Sequence, residues 1–199
     1  MNLGRIAGAV QALAINAVTI YGVFGLKWPV GTAIALYWWE NVLRAVVIVV
    51  LLFVWRKFFR RGDSPVIVVR PDFTMKKFFS LALLFNAVHA VFLLVILGLV
   101  VPRMSPAQRF EGSSFQQGVV IVSILLAIEL LVWLVSASRS SDAQIQLTAS
   151  AYLPRVVVLH LTIVFGMFGI VLFNHPAALF GSFAALKVLA ELALQIRRA

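Results

Sequence analysis

The sequence predicts an all-α polytopic membrane protein, a bundle of six transmembrane helices with both termini on the cytoplasmic side. Three observations predict it. The 199 residues are 62% hydrophobic and 12% charged, and the mean hydropathy is +1.02. Soluble domains are roughly 45–50% apolar and about 25% charged, so a water-soluble core of this length would leave much apolar surface uncovered. Six apolar runs each reach the ~20 residues that a helix needs to cross a bilayer core. Lys and Arg also fall unequally on the two sides that those runs define.

The runs lie near 6–26, 30–55, 77–101, 115–137, 154–174 and 176–196, a single transmembrane domain over 1–199. Prolines punctuate them. Pro29, Pro154 and Pro176 open runs, where a missing N–H costs nothing. Pro102 and Pro106 follow the third run, and Pro65 and Pro71 sit in the long loop before it. The first run carries Gln11 and Asn16 and exceeds the ~7–15 apolar residues of a cleaved signal. It is expected to remain as the first span.

Seven basic residues crowd the loop between the second and third runs: Arg56, Lys57, Arg60, Arg61, Arg70, Lys76 and Lys77. Arg5, Arg139, Arg155, Arg197 and Arg198 fall on the same side, against Lys27, Arg103 and Arg109 on the other. By the positive-inside rule that side is cytoplasmic. The same distribution explains the net charge of +10 without nucleic acid, because no basic stripe accompanies a soluble fold. The expected partners are the lipid bilayer and either a second copy of the chain or another membrane protein. The expected location is a bacterial cytoplasmic membrane. With no cysteine, disulfides, thiolate metal sites and cysteine nucleophiles are excluded. No GxSxG motif marks a serine nucleophile, and no internal repeat suggests an inverted-repeat transporter.

The informative residues are the polar ones inside the runs. Ionisable groups in a membrane are rare and usually face the bundle interior. The stretch YWWENVLR places Tyr37, Glu40, Asn41 and Arg44 on one stripe of the second span, since residues three and four apart share a helix face. The third span holds Asn86 and His89, the fourth Glu129, the fifth His160 shortly after Arg155, and the sixth Lys187 and Glu191. At ~1.5 Å per residue, Arg44, His89, Glu129 and Lys187 lie roughly 14–18 Å from the cytoplasmic end. By the same rise His160 and Glu191 lie at roughly 9 Å and Glu40 at about 24 Å.

Three functions fit this cluster of Glu40, Asn41, Arg44, His89, Glu129, Arg155, His160, Lys187 and Glu191. Proton-coupled transport, or handling of a small solute or ion, uses groups that change charge within the bilayer. A membrane-embedded metal enzyme would draw zinc, iron or manganese ligands from Glu40, His89 and His160, although no HExxH-type spacing is present. Haem on His89 and His160 fits less well, because their depths differ by about 9 Å. A structural or partner subunit would use the charges as interhelical glue. In that reading Glu40–Arg44 and Lys187–Glu191 pair at i, i+4, the first in the better orientation.

The segment YGVFGLKWPVGTAIALYWWENVLRAVV resembles the opening of an uncharacterised multi-pass bacterial and archaeal family, domain of unknown function 6498. The family shows a Tyr-Trp-x-Glu-Asn motif in the second span, matched here by Tyr37, Trp38, Glu40 and Asn41. RVVVLHLTIVFGMF resembles its arginine–histidine segment, giving Arg155 and His160, and LKVLAEL its closing lysine and acid, giving Lys187 and Glu191. Two departures stand out. Glu191 replaces the usual aspartate, and Leu81 occupies the position of a histidine eight residues before His89. A two-histidine site would therefore be incomplete here. The resemblance implies a six-span membrane protein and brings no established activity.

Overall fold

A computed structural model describes residues 3–59, 75–95, 98, 109–137, 152, 154, 156, 157, 161, 180, 181, 184–189, 192 and 193. Among these the fold is all-α. Helix α1 spans Leu3–Phe24, α2 Val30–Val54, α3 Met75–Val95 and α4 Gly112–Ala137. A π-helical turn, Trp55–Phe59, continues α2. Three stretches are long and apolar enough to cross a membrane: Val30–Phe58, Phe78–Val95 and Gly112–Val135. Val10–Phe24 forms a shorter apolar stretch. The expected spans at 154–174 and 176–196 lie mostly outside the described residues. The described positions 184–189 are helical.

The helix boundaries have local causes. Pro29 precedes α2 with φ −58° and ψ 142°, an extended conformation that cannot prolong α1. Its carbonyl accepts the first bonds of the new helix, from the N–H groups of Thr32 at 3.0 Å and Ala33 at 3.2 Å. Between α1 and α2 the chain turns at Lys27, whose φ of 61° lies in the left-handed region that ends many helices. The Trp28 N–H reaches back to the Gly22 carbonyl at 2.8 Å. That return places the Trp28 ring against Gly22, where a Cβ would collide with it, and close to Gly118 of α4. Trp28 is therefore a packing residue in the α1–α2–α4 core.

Contacts fix the directions of the helices. Thr32, near the start of α2, bonds Glu111, one residue before α4: its Oγ1 accepts from the Glu111 N–H at 2.8 Å. At the other end Trp55 shares a cluster with Trp133 and Leu134, so α2 and α4 run parallel. The same cluster joins Trp55 to Phe78 near the start of α3, and Tyr37 clusters with Leu93 near its end. Thus α3 runs antiparallel to α2. In α1, the Gln11 side chain donates to the Leu125 carbonyl of α4 at 3.0 Å, while Gly22 and Gly118 meet the same tryptophan. So α1 is antiparallel to α4. Alternating directions are what consecutive membrane crossings require.

Helix α2 is central. Half of its most apolar window is buried, against 22% for α3 and α4, which turn Leu83, Leu84, Val88, Val91, Ile124, Ile128 and Leu131 outward. In water these faces would be a liability; in a bilayer they match the solvent. Apolar clusters lie above and below the middle of α2. Tyr37 belongs to one of them, and Ile48, Leu51, Leu52 and Trp55 belong to another. Glu40, Asn41 and Arg44 occupy the stretch between.

Candidate functional site

That stretch holds a buried ionic chain. Glu40, Arg44 and Lys187 are 3%, 6% and 3% exposed, so their charges must be balanced locally. Arg44 is one turn beyond Glu40 on α2, and its Nε donates to Glu40 Oε1 at 2.9 Å. The other arm of the guanidinium crosses to α4, where Nη1 donates to Glu129 Oε2 at 2.9 Å. The second oxygen of Glu40 accepts from Lys187 Nζ at 3.1 Å. Lys187 Nζ also donates to Asn16 Oδ1 on α1 at 2.7 Å, and it lies 4.6 Å over the centre of the Tyr37 ring. The Asn16 amide is held in turn by the Ala12 carbonyl, 2.7 Å from Nδ2.

The chain therefore reads Glu129–Arg44–Glu40–Lys187–Asn16, with alternating charge and two cations against two carboxylates. It joins α4, α2, the C-terminal segment and α1. Lys187 is positioned by its neighbours: Phe180 stacks on Tyr37, ring centres 6.0 Å apart at 15°, and Ala184 is buried in the same cluster. Gly181 approaches Phe24, and Ala185 is exposed. The buried face here is Phe180, Ala184 and Lys187.

A second cluster, uncharged, fastens α3. Asn41 Nδ2 donates to Asn86 Oδ1 at 3.0 Å. Asn86 Nδ2 donates to the Ala82 carbonyl at 2.8 Å and to the Tyr152 hydroxyl at 3.0 Å. The Tyr152 hydroxyl is 3.5 Å from the Asn41 carbonyl, and Trp38 Nε1 donates to the Asn86 carbonyl at 3.2 Å. One turn along, buried His89 places Nδ1 3.0 Å from the Phe85 carbonyl. A carbonyl only accepts, so Nδ1 bears hydrogen in this contact.

Of the nine residues singled out from sequence, Glu40, Arg44, Glu129 and Lys187 meet in one chain of contacts, and Asn41 joins the neighbouring amide cluster. His89 is buried on α3. Arg155, His160 and Glu191 lie outside the described residues. Lys187 reaches across the bundle to Glu40 and Asn16, contacts that its i, i+4 spacing to Glu191 does not foretell. Of the metal set, Glu40 uses both oxygens to hold cations, and His160 is not among the described residues. Among those residues, no group of three His, Cys, Asp or Glu is arranged to hold a metal ion. Tyr37 and Asn86, already on the polar stripes of the second and third spans, take part in these clusters, and two further residues join them: Asn16, whose signal was an amide in an apolar run, and Tyr152, which carried none.

Fold and site together define a membrane protein, all-α, with charged side chains paired in the interior of its bundle. Nearly the whole chain, residues 2–199, matches a family of unknown function, DUF6498, and it belongs to that family. No curated protein and no solved structure matches it.

Proposed function

We propose that the chain is a six-span protein of a bacterial cytoplasmic membrane, with both termini inside, that couples proton movement to transport of a small solute or ion. Glu40 is its protonatable latch. The observation that carries this reading is the division of Glu40's two oxygens between Arg44 on its own helix and Lys187 in the C-terminal segment. Glu40, Glu129, Arg44 and Lys187 together are neutral. A proton on Glu40 leaves them one positive charge in excess in a low-dielectric interior. The arrangement then favours release of Lys187 from α2, which gives the bundle two states with different proton content. Asn16 offers the released ammonium a second partner on α1. His89, buried on α3, is a second group able to carry a proton through the interior.

The test is flux into liposomes reconstituted with the full chain and a trapped pH dye, challenged with gradients of small anions, cations and amino acids. The wild type is expected to move protons with one of these gradients. Glu40→Gln and Lys187→Met are expected to abolish the coupling. Unchanged flux in both variants sinks the latch.

A second reading has its own support. Every link of the chain joins opposite charges or a cation and an amide, as a purely structural clamp requires. A clamp predicts that Glu40→Gln and Lys187→Met each lower thermal stability, and that combining them recovers much of it, with no flux in any form. The metal-enzyme reading, through Glu40, His89 and His160, predicts stoichiometric zinc, iron or manganese in purified protein and its loss in His89→Ala.

A further inference from the structure

At the opposite end of α2 from Pro29, the geometry points to a binding site for the headgroup of an anionic phospholipid, formed by Arg56, Lys57, Phe58 and Lys76. The α-helix gives way there to the π-helical turn Trp55–Phe59, and the Trp55 N–H is shared between the carbonyls of Leu51 and Leu52. Single π-turns are uncommon and concentrate at functional positions. Trp55, 2% exposed, anchors the turn in a core that also contains Phe78. Arg56 follows Trp55, and Lys76 lies two residues before Phe78. The packing of Trp55 with Phe78 therefore brings the bases of α2 and α3 to one end of the bundle. Arg56, Lys57 and Lys76 are all exposed there.

Phe58 adds the membrane to the charge. It is 67% exposed, and Lys57 Nζ lies 5.4 Å over its ring centre. An exposed aromatic beside an ammonium, directly at the end of an apolar span, is the composition of a bilayer interface. The segment from 56 to 77 holds seven Lys and Arg against Asp63 and Asp72, and no acid separates Asn41 from Gly62. Basic clusters immediately next to a span attract anionic lipid by about 1 kcal/mol per residue, which is about fivefold in preference. Topology alone requires positive charge at this end. It does not require an ordered basic turn, held by a buried tryptophan, with an outward phenylalanine. A soluble phosphate would satisfy the cations but would gain nothing from Phe58, so the occupant is a lipid.

The experiment purifies the full chain in mixed micelles of equal phosphatidylglycerol and phosphatidylcholine and quantifies the lipid that stays bound. Wild type is expected to retain phosphatidylglycerol preferentially. Arg56→Gln, Lys57→Gln and Lys76→Gln are each expected to lower that preference about fivefold. Lys57→Arg is expected to keep it, and Phe58→Ser to weaken it without removing charge. Thermal unfolding in phosphatidylcholine alone should be the same for all variants, since these side chains are exposed. Equal retention of both lipids by wild type, or full preference in the triple glutamine variant, overturns the site. Displacement of the bound lipid by millimolar inorganic phosphate overturns the choice of a lipid over a free anion.

Discussion

Glu40 is the branch point of the interior, because each of its oxygens answers a cation from a different part of the chain. Removing one partner from a buried pair typically costs about 3–5 kcal/mol, since the other charge is left unbalanced. Glu40→Gln is expected to lower stability by that amount in a detergent melt, because two cations then face Glu129 alone. Glu129→Gln leaves Arg44 with its Glu40 contact and is expected to cost less. The two effects are coupled through Arg44, so the double variant should depart from additivity, as residues sharing a partner do. A strictly additive result would mean that Arg44 does not bridge the two carboxylates. The Glu40–Arg44 contact was legible in the sequence, because i, i+4 spacing on a helix leaves little choice of neighbour. The contacts of Glu40 with Lys187 and of Arg44 with Glu129 span 147 and 85 residues, and no local rule reaches that far.

At the scale of the helices, the expected spans at 6–26, 30–55, 77–101 and 115–137 correspond to α1 to α4. The ends shift where apolar content does not decide them. At the start of α4 the Glu111 carbonyl accepts from the Phe115 N–H at 3.0 Å, and its carboxylate accepts from Ser114 Oγ at 2.6 Å and Ser113 Oγ at 3.1 Å, negative charge at a helix N-terminus being favourable. Trp28 and Trp55, at the ends of apolar runs, are both buried, Trp28 against Gly22 and Gly118 and Trp55 in the cluster with Phe78. Gly118→Leu should therefore drive a side chain into Leu36 and Trp28 and separate α4 from α2. Its melting point is expected to fall further than that of Gly112→Ala, where a Cβ meets open space. The amide cluster calls for a smaller number. Asn86→Leu removes two hydrogen bonds to other segments, with Asn41 and Tyr152, and one to Ala82 of its own helix, and interhelical bonds in membranes average about 0.6 kcal/mol with a maximum near 1.7. A loss much larger than their sum would show that Asn86 does more than fasten α3.

For the whole molecule, the parallel and antiparallel contacts put Arg56, Lys57 and Lys76 at one end and Lys27 and Arg109 at the other. The chain has no cysteine, so single replacements can be labelled without background. With the basic end cytoplasmic, an impermeant maleimide should label Arg109→Cys in intact cells and Lys57→Cys only after the membrane is opened. The reverse pattern would invert the topology. Alternation of α1 to α4 was readable because hydrophobic length and basic loops are local properties. The convergence of α1, α2, α4 and the C-terminal segment on one ionic chain was not, because it depends on how helices rotate and pack. That convergence sets an order of assembly. Among its four ionic members, Glu40, Arg44 and Glu129 enter the membrane first and carry one negative charge in excess. Balance arrives only with Lys187, and Asn16, 171 residues away, waits for it on the first helix. A chain that lacks the segment carrying Lys187 is thus left with an unbalanced carboxylate among these residues. Truncation before Lys187 should shorten cellular half-life, and pulse–chase of a truncated chain carrying Glu40→Gln should show part of that half-life restored.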